Sequence, residues 1–303
     1  MKIKQIINQQ GETISFEFFP PKTQDAQSWL FDSMRRLETL NPSFVSVTYG
    51  AGGGTRKTTR RVVERIMQET SLTPMPHLTC IGQSEEELRR ILHDYRELGI
   101  ENILALRGDP PKEVDDSPAK DLSCHAIDLV QMAAFFDAFS IGVAVYPEGH
   151  IEAPNLNSDM LFTKQKIEAG ADFAITQMFF DNYFFYNFLE RAGKAGIHIP
   201  IIPGIMVITD IEKIMKFAQN CGTTLPPALV HRMEAAASLA EAERIGIDFA
   251  TRQCYDLWQN GVRLFHFYTL NRAEPVTEVL RNLSLDRLLE ERVQGAVGAG
   301  TVG

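Results

Sequence analysis

Cations are the scarcer charge in this 303-residue sequence: 30 Lys and Arg stand against 39 Asp and Glu, a net charge of −9. That balance disfavours nucleic acid and anionic membrane surfaces as partners. Cysteine is sparse as well, with Cys80, Cys124, Cys221 and Cys254 far apart and no Cys-x-x-Cys pair, so neither a disulfide framework nor a structural zinc site is signalled. No apolar run approaches the roughly 18 residues that span a bilayer. The opening Met1-Lys2-Ile3-Lys4-Gln5-Ile6-Ile7-Asn8 turns polar before a secretory core could form, so a cytoplasmic protein is expected.

Three catalytic signatures are missing too. No Gly-x-Gly-x-x-Gly turn follows the first strand candidate, where the chain reads Phe18-Phe19-Pro20-Pro21-Lys22, so a Rossmann dinucleotide site is not indicated. The seven histidines, His77, His93, His125, His150, His198, His231 and His266, show no metal-ligand spacing, and no metal is expected. A Gly-x-Ser-x-Gly nucleophile elbow is absent. The 44% hydrophobic and 23% charged composition is that of a globular chain with an ample core, which excludes disordered and fibrous classes.

What is present is an alternation. Eight β-branched or aromatic runs read as strands: Ile14–Phe19, Phe44–Tyr49, Pro76–Ile81, Asn102–Arg107, Ile141–Tyr146, Phe173–Met178, Pro200–Ile205 and Arg263–Tyr268. Amphipathic segments separate them, as in Ser84-Glu85-Glu86-Glu87-Leu88, where Ser84 and Glu87 make a capping-box pattern. The strand starts are 26 to 39 residues apart except for the last gap of 63, which suits a strand plus a crossover helix each time. The expected fold is a (β/α)₈ TIM barrel of parallel strands, with a doubly wound sheet as competitor. One or two extra helices are expected within Asn220–Glu243, before the last strand. The chain divides into a single catalytic domain over 1–292 and a Gly/Ala/Val-rich flexible tail over 293–303.

In such a barrel the chemistry sits where strands end. The first strand carries Glu17 among Ile14, Phe16, Phe18 and Phe19; a carboxylate in apolar company loses hydration, which suits it to act as a general acid, although an Arg-paired core Glu is the plainer reading. The second strand runs into Thr48-Tyr49-Gly50-Ala51-Gly52-Gly53-Gly54, a possible anion loop or an ordinary turn. The fourth ends in Arg107-Gly108-Asp109-Pro110-Pro111, one cation and one carboxylate on a rigid exit. The fifth ends in Tyr146-Pro147-Glu148-Gly149-His150. In the sixth, the Gln177 amide offers both donor and acceptor to a heteroaromatic edge.

Taken together, Phe16-Glu17-Phe18-Phe19-Pro20-Pro21-Lys22, Phe44-Val45-Ser46-Val47-Thr48-Tyr49-Gly50-Ala51, His77-Leu78-Thr79-Cys80, Leu106-Arg107-Gly108-Asp109, Ala174-Ile175-Thr176-Gln177, Ile201-Ile202-Pro203-Gly204-Ile205 and His266-Phe267-Tyr268-Thr269-Leu270-Asn271-Arg272 resemble the methylenetetrahydrofolate reductases over residues 12 to 275. The resemblance is to the short bacterial type, the catalytic domain alone. It implies an FAD-carrying barrel that takes a hydride from NADH or NADPH and passes it to 5,10-methylenetetrahydrofolate, giving 5-methyltetrahydrofolate for methionine synthesis. It also implies a homo-oligomer whose partners are small molecules, with no nucleic acid or membrane.

Carried over position by position, the resemblance makes Glu17 the proton donor and sets Asp109 beside flavin and pterin. Flavin contacts would be Thr48, Tyr49, Ala51, His77, Arg107, Gly108, Asp109, Ala119, Tyr146, His150, Ala153, Asp159 and Lys166. Substrate contacts would be Thr48, Asp109, Gln177, Phe217 and Arg272. This sequence departs from the pattern at Phe162 and Gln165, where Asn and a basic residue are expected, and at Lys213, where Gln is usual. Two other classes compete: a flavin-free phosphate-binding barrel lyase or isomerase with Glu17 as base, and a catalytically silent folate- or flavin-binding subunit.

Overall fold

The computed structural model describes residues 1–21, 23–49, 56–109 and 124–283. The glycine loop 50–54, Ala51 and Ala119 among the expected contacts, and the tail 293–303 lie outside the described residues. The strands are β1 (Thr13–Phe18), β2 (Phe44–Val47), β3 (Pro74–Thr79), β4 (Asn102–Leu106), β5 (Ser140–Val145), β6 (Phe173–Thr176), β7 (Ile201–Ile202), β8 (Gly204–Met206) and β9 (Leu264–Tyr268). The helices are α1 (Ile3–Gln10), α2 (Gln24–Glu38), α3 (Arg56–Glu69), α4 (Glu85–Glu97), α5 (Ala126–Phe135), α6 (Leu156–Glu168), α7 (Asn182–Lys194), α8 (Ile211–Cys221), α9 (Pro227–Glu234), α10 (Leu239–Gln259) and α11 (Ala273–Asn282). Every strand pairing is parallel, in the order β7-β6-β5-β4-β3-β2-β1-β9-β8.

The nine strands occupy the eight positions expected of a TIM barrel. The seventh candidate strand is broken at Pro203, which has no N–H for a ladder. Its first half, β7, pairs with β6 and its second half, β8, with β9, so one chain segment closes the ring. Two side-chain bonds brace this seam: the Gly204 N–H donates to Thr176 Oγ1 at 2.8 Å, and the Tyr268 hydroxyl donates to the Thr176 carbonyl at 2.6 Å. A methyl group on Gly204 would collide with that carbonyl and with the Tyr268 ring. The expected extra region resolves into one added helix, α9, and the start of the long α10.

Strand side chains alternate between two faces. On β1, Ile14, Phe16 and Phe18 join the layer between barrel and helices, packed with Leu30, Met34, Val45, Val47, Phe265 and Phe267. Thr13, Ser15 and Glu17 therefore turn inward. The floor of the barrel is apolar: Phe44, Met75, Leu104, Phe173, Ile175 and Ile202 meet Ile3, Ile6 and Ile7 of α1. That helix was not anticipated, although its isoleucines have i, i+3, i+4 spacing. Its first amides are satisfied by strand side chains, Ile3 N–H donating to Asn102 Oδ1 at 2.7 Å and Lys4 N–H to Ser140 Oγ at 3.1 Å.

The seam gives a stability test. Gly204→Ala should lose about 1–3 kcal/mol by overpacking. Gly193→Ala, on an α7 face with nothing within 4 Å, should gain about 0.4–1 kcal/mol. Urea denaturation of the two variants against the wild type checks both signs.

Candidate active site

The inward face of β1 places Glu17 in a polar pocket rather than among its apolar sequence neighbours. The carboxylate is buried, with Oε2 3.4 Å from His77 Nε2 on β3 and 3.6 Å from His266 Nε2 on β9. Among the described residues its ionic partners are these two histidines and no Arg. Burial pushes the His77 pKa down to about 4, partly offset by the Glu17 charge, so that ring is neutral near pH 7. Thr48 and Tyr49 continue from β2 beside this strand end, where the Thr48 N–H donates to the Phe18 carbonyl at 2.9 Å.

A second cluster forms a cleft of about 520 Å³ at the ends of β4 and β5 and along α6. Six expected flavin contacts line it: Arg107, Tyr146, His150, Ala153, Asp159 and Lys166. The two departures, Phe162 and Gln165, line it as well. Sequence reasoning missed Glu152, His125, Ala126 and Ile127 in the same wall: Glu152 lies in a loop, and His125, Ala126 and Ile127 form the cap and first turn of α5, where nothing local signals a ligand. A groove of about 790 Å³ between α8 and α9 is larger, but it is lined by helix and loop residues such as Met215, Leu225 and His231 and contains no strand end.

Each cation of the cleft already has an internal partner. Arg107 grips Glu152 through two contacts, 2.8 Å from Nη2 and 2.5 Å from Nη1, and this pairing lowers the Glu152 pKa while raising that of Arg107. Lys166 turns its ammonium inward to the Ala144 carbonyl at 2.6 Å, and burial lowers its pKa to about 8 against the opposing pull of Asp159. Burial raises the Asp159 pKa, and its Oδ2 has no hydrogen-bond partner. Tyr146 and His150 meet edge to face at 4.6 Å, both rings held neutral by burial. Gly108 has φ of +83°, and a side chain there would strike Thr79, so the backbone follows a path only glycine takes easily.

The remaining candidates are spread around the same barrel end. Asp109 is exposed, and its charge acts on Tyr146 and Cys221. Gln177 is half-buried after β6, its Oε1 accepting from the Met178 N–H at 2.9 Å. Phe217 is exposed on α8. Arg272, after β9, is not a free guanidinium: it holds Glu243 of α10 in a bidentate pair at 2.9 and 3.0 Å. Lys213 is exposed and pairs with Asp210, the N-cap of its own helix.

The chain matches the family described as methylenetetrahydrofolate reductase over residues 2–284. It is 42% identical over 267 residues to the 5,10-methylenetetrahydrofolate reductase of Escherichia coli (strain K12), covering 88% of each chain. The chain belongs to the methylenetetrahydrofolate reductase family. Another family member, from Pectobacterium carotovorum subsp. carotovorum, shares 42% identity over 86% of both chains. Methylenetetrahydrofolate reductase (NADH) 1 of Arabidopsis thaliana is 38% identical over 94% of this chain and 50% of its own. A Clostridium thermocellum protein solved with two copies of 5-methyl-5,6,7,8-tetrahydrofolic acid shares the fold at a TM-score of 0.65 and 12% identity, over 95% of this chain and 100% of its own. Among the described residues no helix is long and apolar enough to cross a membrane.

The depressed His77 pKa makes stability pH-dependent within this family member. His77 titrates at about 4 when folded and near 6.5 when unfolded, so the unfolded chain binds the extra proton as pH falls between those values. About 3 kcal/mol of stability should be present above pH 6.5 and lost as pH approaches 4. Urea melts at pH 7 and pH 4.5 should show a smaller difference for His77→Asn than for the wild type.

Proposed function

We propose that this protein reduces 5,10-methylenetetrahydrofolate to 5-methyltetrahydrofolate with NADH or NADPH as electron source and FAD as carrier. The observation that carries the reading is Glu17, an enclosed carboxylate between two histidines inside the barrel, in a fold that also offers, at the ends of β4 and β5, a cleft of a size that holds a cofactor.

The cleft residues fit FAD. The unpartnered Asp159 Oδ2 is a buried acceptor that a sugar hydroxyl would satisfy. Arg107 and Lys166 supply positive charge for a pyrophosphate, and the Tyr146 and His150 rings supply an apolar wall for a planar group. The Gly108 turn lets a ring approach backbone amides closely. Phe162 and Gln165 contribute contact area and an amide in place of a further cation. Ala153 lines the same cleft, and Thr48, Tyr49, His77, Ala51 and Ala119 belong to the same expected set of flavin contacts. When bound, FAD supplies a two-electron carrier that accepts a hydride from the pyridine nucleotide and releases it to the folate.

The protein's own part is positioning and proton transfer. Glu17 gives a proton to the folate nitrogen as its bond to the one-carbon unit breaks, which opens the five-membered ring. Gln177 orients the pterin with its donor and acceptor pair, and Asp109 places negative charge beside both rings. Phe217 packs against the bound substrate. Arg272 meets the carboxylate tail, exchanging Glu243 for a substrate carboxylate of the same geometry.

Only the folate half-reaction needs the Glu17 proton. Glu17→Gln should therefore be reduced by NADH at the wild-type rate yet be reoxidised by methylenetetrahydrofolate at least about 100-fold more slowly. Anaerobic stopped-flow absorbance separates the two steps. Normal turnover by the variant would remove Glu17 from the acid role and with it this reading.

A further inference from the structure

Four cysteines lie far apart in the sequence, yet the fold brings two of them together. Cys80, just past β3, and Cys124, just before α5, are both free thiols, and their side chains are in hydrogen-bond contact. Cys80 is fully buried in the layer between barrel and helices, and Cys124 packs half-buried against the same layer. Among the described residues neither Cys221 nor Cys254 touches a second thiol.

The pair joins two walls of the candidate flavin cleft. The Cys80 and Ile81 amides donate to the Leu106 and Arg107 carbonyls at 3.1 and 2.9 Å, and the Cys80 thiol donates to the Arg107 carbonyl at 3.8 Å. The Cys124 thiol lies 3.8 Å from the His125 carbonyl. Leu106 and Arg107 line the cleft on one side of the pair, and His125, Ala126 and Ile127 line it on the other. Cys124 also lines a separate groove of about 620 Å³ between α4 and α5, with Gln83, Arg89, Asp128 and Phe135.

We propose that Cys80 and Cys124 form a reversible oxidation site, closed to a disulfide by a peroxide, and that its state alters the hold of the cleft on FAD. The second clause rests on the reading of the cleft as the FAD site, and the first does not. Cys124 is the entry thiol, because the groove reaches it while Cys80 is enclosed. Its thiolate attacks one peroxide oxygen, the O–O bond breaks, and the leaving hydroxide becomes water, giving a sulfenic acid on Cys124. The Cys80 sulfur then attacks the Cys124 sulfur; the S–S bond forms, the S–O bond breaks, and the departing hydroxide takes the Cys80 proton as a second water. Two thiols and one hydrogen peroxide thus give one disulfide and two waters, the sulfurs losing two electrons to the peroxide oxygens. A dithiol reverses the step by exchange.

The order of events follows from the surroundings. The hydrogen bond with Cys124, and after it burial, push the Cys80 thiol up, so Cys80 is inert until its neighbour is activated. Closure replaces the present contact by a bond of about 2.0 Å. Both S–H donors are then lost, and the segments that carry Arg107 and His125 are drawn toward each other.

The test treats the full-length protein as purified with equimolar hydrogen peroxide, blocks remaining thiols with N-ethylmaleimide and maps peptides by mass spectrometry. The expected product is a Cys80–Cys124 cross-linked peptide that dithiothreitol reverses. In Cys80→Ala, Cys124 should stop at a dimedone-reactive sulfenic acid, and in Cys124→Ser, Cys80 should stay unmodified. Flavin fluorescence on dilution should give FAD dissociation constants that differ about fivefold or more between reduced and cross-linked protein, with no such difference in Cys124→Ser. Oxidation confined to Cys221, or a Cys80 that oxidises as readily without Cys124, would overturn the site. A cross-linked protein that binds FAD as the reduced one does would overturn its link to the cleft. Cross-linking is read without flavin or turnover, so failure to load FAD would overturn the cofactor reading and leave the thiol pair standing.

Discussion

A carboxylate taken out of water must find partners or lose its charge, and the geometry of this barrel follows from meeting that demand at one position. Glu17 sits on a strand whose alternate residues are Ile14, Phe16 and Phe18, all packed outward against helices. The two-residue period then obliges Glu17 to face the interior. There β2, β3 and β9 place Ser46, His77 and His266 toward it. Below this polar layer the barrel is filled with Phe44, Leu104, Phe173 and Ile202 and sealed by the isoleucines of α1. The floor is thus apolar and covered by α1, while the candidate site residues gather toward the other end of the strands.

The same economy of charge recurs at the rim. Arg107 is held by Glu152, Lys166 by the Ala144 carbonyl with Asp159 nearby, and Arg272 by Glu243. The chain carries 30 Lys and Arg against 39 Asp and Glu, and these three cations are prearranged by carboxylates or carbonyls rather than left to search. A bidentate carboxylate on a guanidinium keeps its fork flat and aimed. A ligand phosphate or carboxylate that displaces Glu152 or Glu243 therefore meets a cation whose conformation has already been selected, which lowers the ordering cost of binding.

Much of this was legible in the sequence. The spacing of eight apolar runs led to the parallel barrel, the strand-end motifs pointed to Arg107, Tyr146 and His150, and the family resemblance added Asp159 and Lys166; all five line one cleft. Three things were not legible. The break at Pro203 splits a strand because the two halves pair with different neighbours, a fact of ring closure that no local pattern records. Glu17 looked desolvated by its phenylalanines, and it is buried, but by the histidines of β3 and β9, since adjacent strand residues face opposite ways. The ion pairs of Arg107 and Arg272 join residues 45 and 29 positions apart, and tertiary contacts of that kind leave no mark on spacing.

The account stands most directly on the anaerobic visible spectrum of the purified protein, recorded alone, after NADH and again after methylenetetrahydrofolate. It predicts a flavin band that bleaches with NADH and returns when the folate is added. A protein that bleaches but is not reoxidised would contradict the folate assignment, and a colourless protein that cannot be loaded with FAD would contradict the cofactor site itself.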